Sequence, residues 1–195
     1  MKGFQYNELE ILKKLFPDFN YGYPVERNLY VVEVGAADGI DNSNSYELIQ
    51  EYQWRGLLVE PHPGYFMDLL MLYTDHPKVK LSNYAIGSKD CRRMLGLDGQ
   101  CSSLVHKKPF EIQVQCVTLT NLLKLYNVPN HFNFLSVDCE GADMEVLRSL
   151  DWTMYKPAVV CVEHSMSRIE LDDFMNQVGY KEFANNMGNT FFVRK

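Results

Sequence analysis

The 195-residue sequence has no apolar run near the roughly 18 residues that cross a bilayer. Its opening stretch, Met1 to Phe16, alternates charged with apolar residues and so provides no signal-peptide core. A soluble, cytoplasmic protein with no membrane span is expected. Five cysteines, at 91, 101, 116, 139 and 161, include no Cys-x-x-Cys pair and no neighbouring His at zinc-ligand spacing. They read as reduced thiols. Basic residues are also in deficit, 19 against 25 acidic, for a net charge of −6. That balance disfavours nucleic acid as a partner and leaves only a local patch, Arg92-Arg93 with Lys107-Lys108. Repeats, low-complexity tracts and Pro/Gly/Ser linkers are missing too, so one continuous core is expected.

What is present is an alternation of two periodicities. Residues 7–16 put Leu9, Leu12 and Phe16 near helical spacing, and the aromatic stretch Phe19 to Pro24 reads as a loop. Residues 1–28 therefore form a leading helix and loop, serving as packing or as a lid, ahead of a domain over 29–195. Within it, Leu29–Val34, Gly56–Glu60, Val79–Ile86, the alternating Ile112, Val114 and Cys116, Phe134–Asp138 and Ala158–Glu163 read as strands. Helical patterns lie between them, through Tyr46–Tyr52, Phe66 to Tyr73, Leu119 to Tyr126 and Met144 to Leu150. Ser167 with Glu170 resembles a capping box opening a last helix. Tyr180–Ala184 and Thr190–Arg194 flank a turn-like Asn185–Asn189 segment, predicting an antiparallel hairpin. The fold class expected is α/β: a three-layer, open, mostly parallel seven-stranded sheet closed by that hairpin. Ligands of such sheets bind beyond the C-terminal strand ends at a topological switch point.

At the first strand end stands Val32-Glu33-Val34-Gly35-Ala36-Ala37-Asp38-Gly39, which is not the Gly-x-Gly-x-x-Gly of a dinucleotide site. Two carboxylates there oppose a pyrophosphate and suit a cationic, amine-bearing ligand such as S-adenosylmethionine, with its sulfonium and ammonium. Glu60 ends the second strand about twenty residues on, where a carboxylate accepts ribose hydroxyls. The third strand ends Ser82-Asn83-Tyr84, placed to meet an adenine edge. After the fourth strand, Asp138, Glu140 and Asp143 concentrate negative charge, and the fifth ends Glu163-His164. Such a cluster supports a general base, drawn from Asp138, Glu140 and His164, or a divalent cation (Mg²⁺ or Mn²⁺) on Asp138, Glu163 and His164. Asp143 more simply favours the N-terminus of the next helix. Gly96–Lys108 is either a lid or acceptor loop or a solvated excursion.

Taken in order, these three motifs, with Trp54-Arg55-Gly56-Leu57-Leu58-Val59-Glu60-Pro61-His62-Pro63 as the second, resemble the FkbM family of methyltransferases. The resemblance covers residue 29 to the C-terminus. It implies a class I, Rossmann-like methyltransferase fold and transfer of methyl from S-adenosylmethionine to a hydroxyl oxygen, often of a sugar or polyketide. By position it implies a cofactor site of Glu33, Gly35, Ala36, Asp38, Gly39, Glu60, Asn83 and Asp138, with Asp138 facing the reacting centre. Two positions depart from the family pattern: His62 stands where Asn is common, and Asp143 where Glu is common. The pairing of Asp138 with Glu163-His164 also resembles the strand-end ligands of catechol-type, metal-dependent O-methyltransferases. The sequence lacks an Asn/Asp-Pro-Pro-aromatic segment for base-amine methylation and a Pro-Cys nucleophile for cytosine, which leaves oxygen as the acceptor atom. Expected partners are a small-molecule or glycan acceptor and, by fusion or association, glycan-synthesis enzymes. A non-catalytic cofactor-binding or scaffold domain of a larger glycan-modifying protein is the alternative, followed by a nicotinamide-dependent oxidoreductase.

Overall fold

The structure, a computed structural model, describes residues 6–16, 29–163 and 168–195. The expected loop at 19–24, His164 and the Ser167 cap lie outside the described residues. Mostly apolar, buried runs form strands β1 (Tyr30–Val34), β2 (Arg55–Val59), β7 (Phe134–Val137) and β8 (Val159–Glu163), as strands covered on both faces require. With β3 (Val79–Ser82), β9 (Tyr180–Asn185) and β10 (Asn189–Arg194) they make a seven-stranded sheet ordered β3-β2-β1-β7-β8-β10-β9. All neighbours from β3 to β8 pair parallel, and β10 pairs antiparallel to both β8 and β9. The mostly parallel sheet and its closing hairpin are as the sequence predicts.

Side-chain alternation divides the core between the two faces. Val32, Leu57, Leu135 and Val160 point to one face, against α4 (Leu119–Leu125), α5 (Asp143–Arg148) and α6 (Arg168–Gln177). Val31, Leu58, Phe134 and Cys161 point to the other, against α1 (Glu8–Leu15), α2 (Tyr46–Gln50) and α3 (Pro63–Tyr73). The leading helix α1 thus packs on the sheet through Ile11 and Leu12. Its Glu8, fully buried, accepts hydrogen bonds from Asn186 and Asn189 beside the closing hairpin. No helix among the described residues is long and apolar enough to cross a membrane.

Two elements differ from expectation. The strand predicted over Val79–Ile86 divides: it leaves the main sheet after Ser82, and β4 (Ala85–Ile86) pairs with β6 (Phe110–Val117). A further strand, β5 (Cys91–Leu97), pairs antiparallel with β6, so that β4-β6-β5 form a second, three-stranded sheet. Charged Arg92 and Arg93 obscure β5 in the sequence, although Cys91, Arg93 and Leu95 alternate with the more exposed Arg92 and Met94. This second sheet has its own small core of Ala85, Leu95, Val114 and Cys116.

The central strands should be the most sensitive to truncation. Leu135→Ala removes a fully buried side chain and should cost about 2–5 kcal/mol, whereas Met71→Ala, 78% exposed, should cost under about 0.5 kcal/mol. Urea unfolding should show a lowered midpoint for the first alone; equal midpoints would contradict this placement of the core.

Candidate active site

The strand order reverses between β1 and β7, and there the two strand ends touch. Gly35 has φ +86°, and a Cβ on it would lie 1.7 Å from the Asp138 carbonyl oxygen, so only glycine fits. Gly35 and Ala36 donate backbone N–H bonds to the Val59 carbonyl, and Asp138 N–H donates to Val34. These bonds fasten the ends of β2, β1 and β7 side by side around a cavity of about 260 Å³.

Of the residues singled out in the sequence, Gly35, Ala36, Glu60, Asp138, Glu140 and Glu163 line that cavity. Glu33, Asp38, Gly39 and Asn83 do not, and each has another task. Glu33 is buried, and its carboxylate accepts from Ser43 Oγ (2.9 Å), Asn44 N–H (2.6 Å) and Ser45 Oγ (2.5 Å). It therefore holds the loop after β1 instead of facing a ligand. Asp38 Oδ1 accepts from the N–H groups of Ile40 and Asp41, a tight local turn. Gly39 leaves room for α3, since its Cβ would stand 2.4 Å from Leu69. Asn83 Nδ2 donates to the Glu60 carbonyl at 2.8 Å and so ties the end of β3 to that of β2. The aromatic side chain beside it, Tyr84, lines the cavity in its place.

Glu60 is almost wholly buried and bridges two loops, accepting from Ala37 N–H (2.9 Å) and His62 N–H (2.7 Å). Burial pushes its carboxyl from 4.5 up to about 7, against the pull of those two donors. His62 Nδ1 in turn accepts from Gly64 and Tyr65 N–H and caps α3. That is the service an Asn side chain gives, which accounts for the departure at position 62. Asp143, the other departure, is buried and accepts from Cys139 and Gly141 N–H, closing the loop after β7.

Asp138, Glu140 and Glu163 offer carboxylate oxygens that lie within 4.8 Å of one another. Burial raises Asp138 well above the ordinary carboxylate range, and the neighbouring charges of Glu163, Asp143 and Glu140 raise it further. Its carboxyl shares a hydrogen bond with Glu163. Glu140 has a left-handed backbone, φ 49°, the type of strained position that clusters at working sites. The all-oxygen donor set fits a hard divalent cation, and equally a shared proton.

The roof of the cavity is the segment that the sequence left open between a lid or acceptor loop and a solvated excursion. Leu95, Gly99, Gln100, Cys101, Ser102 and Leu104 line it, so Gly96–Lys108 stands over the strand ends. Ser103 Oγ donates to the Glu140 carbonyl at 2.9 Å, and Arg93 bridges both carboxylate oxygens of Glu145 on α5. Tyr65, at the start of α3, completes the lining on that side.

The methyltransferase FkbM domain profile matches residues 33–182, most of the chain. The chain belongs to the FkbM methyltransferase family. No curated protein matches the chain. Among solved structures, the N-terminal domain of human METTL16 resembles this FkbM domain with TM-score 0.57 and 10% identity, over 97% of this chain and 68% of the other. The same human domain in complex with SAH gives TM-score 0.55 and 10% identity, over the same 97% and 68%. A METTL16 MTase domain in another crystal form gives 0.56 and 11%, over 97% and 66%. At such identities the likeness shows a shared class I methyltransferase fold.

The buried Glu33 sets a pH dependence of stability. Burial pushes its carboxyl from 4.5 to about 7, so the folded FkbM domain holds that proton more tightly than the unfolded chain does. The resulting stabilisation is full below about pH 4.5 and is lost as the pH rises through about 7, a loss of roughly 2–3 kcal/mol between pH 5 and 8. Glu33→Gln keeps a hydrogen-bonding side chain without the titration. Urea unfolding at the two pH values should show a smaller decline for the variant by that amount; parallel declines would refute it.

Proposed function

We propose that this FkbM domain binds S-adenosylmethionine in the cavity and transfers its methyl group to a hydroxyl oxygen of a sugar or glycan. The observation that carries the reading is the placement of Glu60 and Asp138 in one cavity, on strand ends either side of the β1 loop. Bound there, the cofactor would supply an electrophilic methyl group. Glu60, held by Ala37 and His62, has oxygen lone pairs left to accept ribose hydroxyls. Tyr84, Ala85 and Ile86 offer an apolar wall beside it for a flat base. Gly35 and Ala36 let the backbone come close to the amino-acid end of the ligand.

At the far side Asp138, made a stronger base by burial and by its neighbours, takes the proton of the acceptor hydroxyl. Glu163, hydrogen-bonded to it, holds the carboxyl in place. The roof formed by Gly96–Lys108 excludes water and orients the acceptor for in-line approach. A second version of the same chemistry uses the three clustered carboxylates, Asp138, Glu140 and Glu163, to hold a divalent cation that lowers the acceptor's pKa.

Incubation with methyl-labelled S-adenosylmethionine and a panel of glycans, with and without EDTA, tests both versions. Labelled O-methyl product is expected, and Asp138→Asn should lower its turnover by about 100-fold or more with the fold intact by circular dichroism. Loss of turnover in EDTA, restored by Mg²⁺ or Mn²⁺, would select the metal version. Cofactor binding with no transfer to any acceptor would instead favour a non-catalytic role.

A further inference from the structure

The turn that follows β7 is one wall of the cavity, lined by Asp138, Cys139, Glu140 and Ala142. It reverses the chain through two consecutive left-handed residues, Glu140 (φ 49°) and Gly141 (φ 94°). Glycine adopts that conformation freely, whereas a residue with a Cβ, such as Glu140, keeps it only under restraint from its surroundings. Part of the restraint is local, because Asp143 accepts from the Cys139 and Gly141 N–H groups. The rest comes from the roof. Ser103 Oγ, 37 residues earlier in the chain, donates to the Glu140 carbonyl at 2.9 Å. It also accepts from the N–H groups of Val105 (3.1 Å) and His106 (3.2 Å). A hydroxyl has one proton and two lone pairs, so every bond it can make is made. Ser103 is itself fixed, being buried and joined to Gly96 by reciprocal backbone bonds of 2.9 and 3.0 Å. Two neighbours close on the same turn. The Cys101 thiol is hydrogen-bonded to the Glu140 carboxylate, and a Cβ on Gly141 would stand 3.1 Å from His106 Nε2.

We infer that Ser103 is a positioning residue for methyl transfer: acting through the Glu140 backbone, its hydroxyl sets the wall that carries Asp138 and Glu140 in register with the roof. The inference rests on the function proposed above. The groups assigned to the cofactor are held independently of this bond. Glu60 is braced by Ala37 and His62, and Gly35 and Ala36 are bonded to Val59. The wall and the roof meet at Ser103, and an acceptor hydroxyl lies between them when it reaches Asp138. Without the Ser103 hydroxyl the Glu140 carbonyl loses its donor, the left-handed turn relaxes, and the wall and the roof lose their common alignment. A misplacement of about 1 Å is enough to slow a reaction about 100-fold. Cofactor binding is spared, because none of its groups leans on that turn.

Ser103→Ala and Ser103→Thr separate positioning from folding. The readouts are initial rates with methyl-labelled S-adenosylmethionine and the glycan panel, calorimetry with S-adenosylhomocysteine, and backbone hydrogen exchange. Ser103→Ala should lower kcat about tenfold or more while the Kd for S-adenosylhomocysteine changes less than about twofold. Exchange should quicken at the amides of 139–142 and stay as slow as before in β1 and β2. Ser103→Thr keeps the hydroxyl and should hold kcat within about threefold of the unaltered protein. An unchanged kcat in Ser103→Ala overturns the inference and leaves the proposed function standing. A loss of cofactor affinity as large as the loss of rate also overturns it, since that marks a merely structural role. Slowing of Ser103→Thr to the level of the alanine variant, with cofactor affinity intact, overturns the assignment to the hydroxyl. Absence of transfer to any glycan by the unaltered protein sinks the proposed function, and this inference with it.

Discussion

The contact between Gly35 and the Asp138 carbonyl is the constraint on which the site depends. Two parallel strands can deliver their loops to one place only if neither loop carries bulk at the crossing. With Gly35 in a left-handed conformation, β1 turns away while its N–H and that of Ala36 remain bonded to Val59. That geometry brings Glu60 and Asp138 to opposite sides of the same loop. A Cβ at position 35 would push β7 outward and separate them, so the shape of the cavity and the sheet packing are set by one atom's absence.

Around this point the structure invests buried carboxylates with distinct tasks. Glu33 and Asp143 are consumed by backbone and hydroxyl donors of their own loops, which gives the loops after β1 and β7 a fixed form. Glu60 both braces a loop and faces the cavity. Asp138 is raised by burial reinforced by three neighbouring carboxylates, Glu163, Asp143 and Glu140, where Glu60 has only Glu33 to add to its burial. The sequence shows all of them as acids near strand ends and offers no means of sorting one task from another.

That limit explains what was legible. The central strands were visible because burial on both faces makes them mostly apolar runs, and Glu60 and Asp138 followed from their positions at strand ends. Glu33 resembled a ligand because its serine partners, ten and twelve residues away, are ordinary loop residues in a linear reading. Asn83 stands beside the cavity wall of Tyr84, Ala85 and Ile86, but its side chain turns back onto the Glu60 carbonyl. The second sheet was hidden because alternation reveals that a segment is extended and not which strand it joins. Val79–Ile86 therefore read as one strand when it serves two sheets.

The hairpin of β5 and β6 shares a small core with Ala85 of β4 and is fixed to the rest by its pairing with β4 and by polar links, Arg93 to Glu145 and Ser103 to the Glu140 carbonyl among them. Its tip can therefore change length and side chains without disturbing the packing of the main sheet. The roof and the floor of the cavity are thereby separable in evolution: the tip can vary while the strand ends beneath it stay fixed.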